Sequence, residues 1–228
     1  MDLSHCSAAN SIPMTAQPEL IHRIRACTLC AQQLPLPPRP VLQFANSARL
    51  LIVGQAPGLA AHNSGLAFDD PSGDRLRDWL GVDRPTFYDE HLIALVPMGF
   101  CYPGTGSSGD LAPLRQCAAH WRLEVLQALP NIELTLVLGQ YAQRWHLPGS
   151  RSNKATGVTD TVRRWQDYLP AVIPLPHPSP RNNPWLKHNP WFARELLPVL
   201  RQKVGAIVSG SSQIAGADLV SDKPPSVK

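Results

Sequence analysis

Leu50 to Val53 are four apolar residues in an unbroken row, and they run directly into the glycine-bounded turn Gly54-Gln55-Ala56-Pro57-Gly58. A strand that is apolar on both faces belongs inside a parallel sheet with helices on either side, because only there is neither face wet. Gly54 and Gly58 let the backbone approach a ligand closely, and Pro57 stiffens the turn between them. In open α/β sheets ligands bind at the carboxyl ends of strands. The turn is therefore the first place to look for chemistry, the alternative being an ordinary strand-to-loop connection.

Similar apolar runs follow at His91 to Val96, Leu134 to Leu138 (again ending at a glycine, Gly139) and Ala171 to Pro176. Helical spacing lies around them: Glu19 to Cys30, where Leu20, Ile24 and Cys27 share a face, then about Asp74 to Leu80, Leu114 to Leu129, Tyr141 to His146 and Thr161 to Tyr168. A last helix is predicted to start at Asn189 as N-cap with Pro190 in the first helical position, and Pro198 should kink or split it. Strands alternating with helices predict an α/β fold with a mainly parallel, four-stranded sheet. The predicted domain covers residues 18–207, with a disordered N-terminus at 1–17 and a low-complexity, disordered tail at 208–228.

The formal charge of +4 permits an anionic partner without requiring one. Neither an export signal nor an apolar run of membrane-spanning length is seen, so the expectation is a soluble, cytoplasmic, monomeric protein with no membrane partner. In that setting five cysteines point to metal or buried thiols more than to disulfides. Cys27 and Cys30 form a C-x2-C pair, while Cys101 and Cys117 lie downstream with fifteen residues between them. Four thiolates from two distant segments suit a tetrahedral zinc or an iron-sulfur cluster, the plain alternative being buried cysteines. Cys6 is left over.

His177 opens the run His177-Pro-Ser179-Pro-Arg181-Asn182 directly after the fourth strand. A neutral imidazole at a strand end can donate a hydrogen bond to a developing anion, and Pro176, Pro178 and Pro180 hold its backbone rigid. Phe68 suits stacking on a planar ring or plugging the core. Asp69 and Asp70 suit positioning a water or capping the helix that follows. Arg181, Asn182, Asn183, Trp185, Lys187 and His188 interleave basic, amide and aromatic groups, a composition suited to phosphate contacts with a stacking or wedging side chain, or to a solvated loop.

Together, GQAPG after the first strand, GLAF ending at Phe68, the four spaced cysteines and HPSPRN resemble the uracil-DNA glycosylase superfamily, over about Ile21 to Val204. The cysteine pattern is similar to that of the iron-sulfur (family 4) members, and HPSPRN to that of the single-strand-selective branch. The resemblance implies a three-layer α/β/α sandwich and DNA as partner. It also implies excision of a deaminated base such as uracil, after the nucleotide is flipped from the stack and its N-glycosidic bond hydrolysed. His177 would donate to the leaving base and Gln55, within Gly54 to Gly58, would contribute backbone groups. Phe68 would stack on the base, and Asp70, with Asp69 the other candidate, would act on the water. Ser179, Arg181 and Asn182 would lie in the loop that enters the space left by the flipped base and grips the flanking phosphates. Cys27, Cys30, Cys101 and Cys117 would hold a 4Fe-4S cluster, with zinc as the alternative. Two departures stand out: Ala56 replaces the Asp or Asn that many members use on the water, and Pro97 falls where iron-sulfur members keep an asparagine that reads the uracil edge. They favour a second reading, a non-catalytic or weakly active nucleic-acid-binding protein of the same fold; a third is an α/β enzyme acting on a free nucleotide.

Overall fold

Alternation in the central strands sorts their side chains onto two helix-covered faces. Leu50, Ile52, Ile93, Leu95, Leu134, Leu136, Ile173 and Leu175 belong to one buried cluster. Leu51, Val53, Ala94, Val96 and Val137 belong to a second on the opposite face. Each such aliphatic side chain taken from water contributes about 1.5–3 kcal/mol, so both faces drive folding.

The computed structural model describes residues 16–107, 109–147 and 157–217. In chain order these form α1 (Ala16–Arg25), β1 (Leu50–Val53), α2 (Leu59–Ser64), α3 (Pro71–Leu80), α4 (Arg84–Phe87) and β2 (Ile93–Leu95). The small hairpin strands β3 (Thr105–Gly106) and β4 (Gly109–Asp110) come next, then α5 (Arg115–Gln127), β5 (Leu134–Leu138), α6 (Gly139–His146) and α7 (Val158–Arg163). The series ends with β6 (Val172–Leu175), α8 (Asn183–His188) and α9 (Leu197–Ala217). The sheet runs β2-β1-β5-β6 and all its pairs are parallel. Helices α3, α7 and α9 cover one face, and α1, α5 and α6 the other, giving the expected three-layer α/β/α sandwich. No helix among the described residues is long and apolar enough to cross a membrane.

Strand order reverses between β1 and β5: the chain leaves β1 toward β2 and later fills in β5 and β6 on the other side. Loops at such a switch point part and leave a crevice at the carboxyl edge. The loops after β1, β2 and β6 all emerge there.

Some element boundaries differ from the sequence expectations. Helix α1 stops at Arg25, because Cys27 N–H bonds Ile24 O (3.1 Å) in a tightened last turn; Cys27 and Cys30 therefore sit on a turn. Helix α3 starts at Pro71, since Asp70 caps it by accepting from Gly73 N–H at 2.9 Å. The predicted helix 161–168 is α7 followed by a 3-10 turn at Trp165–Tyr168. Before Pro198 the chain widens into a π-turn, Phe192–Leu196, where Leu197 N–H reaches back to Phe192 O. Helix α9 continues to Ala217, past residue 207 where the domain was expected to end, and buries Leu200, Val204 and Ile207. The disorder expected at residues 1–15 and 218–228 lies outside the described residues.

Candidate active site

Beyond the sheet, the exits of β1 and β2 stay bonded to one another. Met98 N–H donates to Gly54 O (2.9 Å) and Gly99 N–H to Gln55 O (3.0 Å). On this frame Gly54 through Gly58 form one wall of a cleft whose other walls include Phe68, Asp70, Pro97, His177 and Ser179. The Gln55 side chain faces away from chemistry: its Nε2 donates to Asp110 O (3.3 Å) and Leu111 O (2.8 Å), clasping the β3–β4 hairpin over the turn.

His177 has its hydrogen-bonding roles settled by its neighbours. Its Nδ1 accepts from Ser179 N–H at 3.2 Å, and Nδ1 must be unprotonated to do so, leaving Nε2–H as the ring's donor. Burial lowers the His177 pKa below its ordinary 6.5, while Asp70 and Asp110 oppose that shift. The imidazole is therefore neutral at pH 7, with one N–H free to donate. Asn182 fixes the backbone behind it, Nδ2 donating to His177 O at 2.7 Å. Arg75, on α3, straps the same loop by donating to Ser179 O (2.9 Å) and Asn183 Oδ1 (2.7 Å).

Phe68 lines the cleft in a strained conformation. Its backbone has φ 58°, a left-handed conformation that costs a non-glycine residue of order 1–3 kcal/mol. Two glycines make this geometry possible. A Cβ on Gly54 would lie 3.1 Å from Phe68 Cζ, so the ring rests on a bare Cα. A Cβ on Gly73 would lie 1.7 Å from Phe68 O, so only glycine lets α3 pass so close. The Phe68 ring meets Phe87 edge-on with centroids 6.1 Å apart.

Two carboxylates face the turn, and each has one oxygen tied down. Asp70 Oδ1 holds Gly73 N–H, and Asp110 Oδ1 accepts from the Thr105 hydroxyl at 3.0 Å. Their Oδ2 atoms converge on Gly58, lying 4.0 Å (Asp70) and 3.2 Å (Asp110) from where its Cβ would stand. Asp110 was missed in the sequence. The signal was there: it is the one charged residue between Pro97 and Pro113.

Other candidates stand outside the cleft. Asp69 is engaged by Arg84 (2.7 Å), which holds its carboxyl below the usual range. The exposed Arg181 lays its guanidinium on Gly109 of the hairpin, where a Cβ would lie 2.6 Å from Nη1. Trp185, a candidate wedge in the sequence reading, instead packs on Trp191 and Phe192 and donates to Thr159 Oγ1 at 2.8 Å. An aromatic with that much core contact is a packing residue.

The four cysteines meet elsewhere. Cys27, Cys30, Cys101 and Cys117 line one cavity beside α5, closed by apolar groups such as Phe100, Leu114 and Trp121. Two of the sulfurs have an N–H donor. Trp121 Nε1–H reaches Cys27 Sγ and Phe100 N–H reaches Cys117 Sγ, both at 3.3 Å. Burial pushes the Cys101 thiol up to about 11 and Cys117 up to about 12. Thiols like these ionise only against a bound cation. Among the described residues no three His, Cys, Asp or Glu side chains form a group that could hold a metal ion, so the thiols surround a space without converging on a point.

Against known proteins, the family model described as the uracil DNA glycosylase superfamily matches residues 42–201.

Proposed function

The chain belongs to the uracil DNA glycosylase superfamily, and from that premise we propose that it is a DNA repair glycosylase that flips a deaminated base, such as uracil, and excises it by hydrolysis. The observation that carries this reading is His177, neutral, backed by Ser179 N–H and left with a single N–H to donate in the cleft. When the N-glycosidic bond breaks, electrons pass to the base and positive charge is left on the sugar. His177 Nε2–H stabilises the first; a hydrogen bond to a charged group is worth about 1.5–3 kcal/mol, or roughly ten- to 150-fold in rate if realised only in the transition state. Asp70 and Asp110 stand by the second, with Asp70 taking the proton of the attacking water. Phe68 supplies the stacking face and the Arg181 loop the contacts to flanking phosphates.

The wall that meets the base is unusual in offering Ala56 and Pro97, neither of which has a polar side chain. Selection there rests on shape and on backbone groups, and weak uracil discrimination is expected, because strong rejection needs a buried polar reader left unpaired by the wrong base. Cys27, Cys30, Cys101 and Cys117 would hold a 4Fe-4S cluster. The supporting observations are four thiols around one cavity, two of them, Cys27 and Cys117, with an N–H donor of the kind that stabilises a sulfur-ligated cluster. Bound there, the cluster supplies a cross-link between the N-terminal turn and the loop around Cys101. A monomer acting on DNA in the cytoplasm completes the proposal.

The test is base release from labelled oligonucleotides carrying uracil, hypoxanthine or xanthine, single-stranded and in each mismatch, with the abasic product cleaved by alkali. Release of one base, slowed roughly ten- to 150-fold by His177→Ala with DNA binding retained, is expected. Silence across the panel from metal-loaded protein that binds DNA overturns it in favour of the binding-protein reading, to which Ala56 and Pro97 point. Brown protein with iron and sulfide is expected on aerobic purification; a colourless protein with stoichiometric zinc refutes the iron while keeping the ligands.

A further inference from the structure

Between α5 and α6 lies an open groove of about 560 Å³, within the roughly 300–1,000 Å³ typical of ligand sites, and no step of the reaction proposed above uses it. Two helix faces make it. On α5, Arg115, Ala118 and Ala119 stand at i, i+3 and i+4; on α6, Tyr141, Arg144 and Trp145 do the same. The short alanine side chains leave the slot between the two faces open. Both arginines are exposed, both rings are half-buried, and none of the described residues lining the groove is acidic. Two cations over two aromatic faces form the composition that holds a nucleic-acid strand, guanidiniums on phosphates and bases stacked on rings.

The groove adjoins the site for chemistry. Met98 lines the one and its neighbour Pro97 the other. A Cβ on Gly99 would lie 2.9 Å from Pro113 Cβ, in the groove wall, and 3.7 Å from Ala56 Cβ, in the cleft wall, so little more than backbone separates the two. On the other side α6 begins at Gly139, where a Cβ would stand 3.6 Å from His177 Cβ. Trp145 is also braced from behind: the guanidinium of the buried Arg122 lies over its ring, 5.7 Å from the centroid, and donates to Val96 O (3.1 Å) and Pro97 O (2.6 Å). A ring fixed in this way loses little freedom when a base stacks on it. A duplex cannot use the slot, because its bases are paired and stacked inside the helix; an unpaired base can.

We propose that the α5–α6 groove binds an unpaired nucleotide of the strand that enters the base cleft, with Arg115 and Arg144 on its phosphates and Tyr141 and Trp145 on its base, and that single-stranded DNA is the preferred substrate class. The inference rests on the DNA-binding part of the function proposed above and deepens it. It is independent of which base is removed.

Fluorescence anisotropy with labelled, lesion-free oligonucleotides tests it without relying on activity. Wild type should bind a single strand more tightly than a blunt duplex of the same sequence at the same salt. Arg115→Gln and Arg144→Gln should each weaken single-strand binding several-fold and flatten the slope of log K against log salt by about 0.7, as loss of one phosphate contact to a single strand requires. Tyr141→Leu keeps apolar bulk and removes the stacking face; it should cost roughly fivefold or more in single-strand affinity and little in duplex affinity. If the leucine variant does not fold, the two arginine variants, both at exposed side chains, still decide. A single strand bearing photoreactive thiothymine should crosslink to Tyr141 or Trp145. Wild-type affinity and salt slope in the Arg115→Gln/Arg144→Gln double variant, or crosslinks confined to residues outside the groove, overturn the assignment, and a wild type that binds duplex as tightly as single strand overturns the preference. Base release is read separately on the same protein: groove-dependent binding without release keeps this inference and sinks the glycosylase reading, whereas release with wild-type binding in the double variant does the reverse.

Discussion

Asp70 carries two duties that one pair of substitutions separates. Its Oδ1 caps α3 through Gly73 N–H, and its Oδ2 faces Gly58 in the cleft. Asparagine caps as well as aspartate, whereas alanine at an N-cap costs about 0.5–2 kcal/mol. Asp70→Asn should therefore unfold at the wild-type midpoint, and Asp70→Ala should melt roughly 2–4 °C lower for each kcal/mol lost in a domain of this size. Only a carboxylate can take a proton from water, and a positioned base contributes typically about 10²–10⁴-fold. Both variants should lose base release by that factor in single-turnover assays, which exclude product release from the rate. Asp110→Asn sets the scale for pure electrostatics: a charge about 5 Å from a cationic sugar, at an effective dielectric near 20, is worth about 3 kcal/mol, or roughly 10²-fold. Base release by Asp70→Asn within threefold of wild type, with Asp110→Asn inactive, would refute the assignment of the water to Asp70 and move it to the hairpin.

Three further outcomes are expected. Burial lowers the His177 pKa, so between that value and the ordinary 6.5 the unfolded chain binds more protons than the folded one, and stability falls as pH falls through this window. Urea melts from pH 7 to pH 5 should show wild type losing more stability than His177→Asn; equal losses refute a neutral, buried imidazole. Gly73→Ala places a methyl 1.7 Å from Phe68 O, so the backbone must move. Overpacking of this kind costs typically about 1–3 kcal/mol, and a lower urea midpoint at unchanged slope is expected together with slower base release; a wild-type midpoint would refute the packing. Asp69→Asn, which removes only the partner of Arg84, should leave base release unchanged, and a loss comparable to that of Asp70→Asn would show that the wrong neighbour was chosen.

What the sequence made legible follows from where its information is local. Strands β1, β2, β5 and β6 are buried on both faces and so read as apolar runs, and the parallel order of the sheet follows from the helices between them. Site residues that follow a strand end, Gly54 to Gly58 and His177, were legible because a parallel sheet sends all such ends to one edge. Local boundaries failed where a cap decided them: Asp70, read as a possible capping or water-handling residue, turned out to begin α3 itself, and that cap turns its free oxygen to the cleft while Asp69 goes to Arg84. Pairings across long separations were not legible at all. Asp110 reaches Gly58 only because a hairpin folds back under the Gln55 clasp, and Arg75 finds Ser179 only because α3 and the loop after β6 share one side of the crevice. Arg122 is the hardest case. An arginine in mid-helix reads as a solvated charge, and nothing near it in sequence announces that two carbonyls from β2's exit receive it in the core. Buried polar residues are costly in isolation and are kept only where the assembled fold satisfies them, so their roles become visible only after the fold is assembled. The placement that a single strand end can announce was therefore readable, and the contacts that hold the cleft in shape were not.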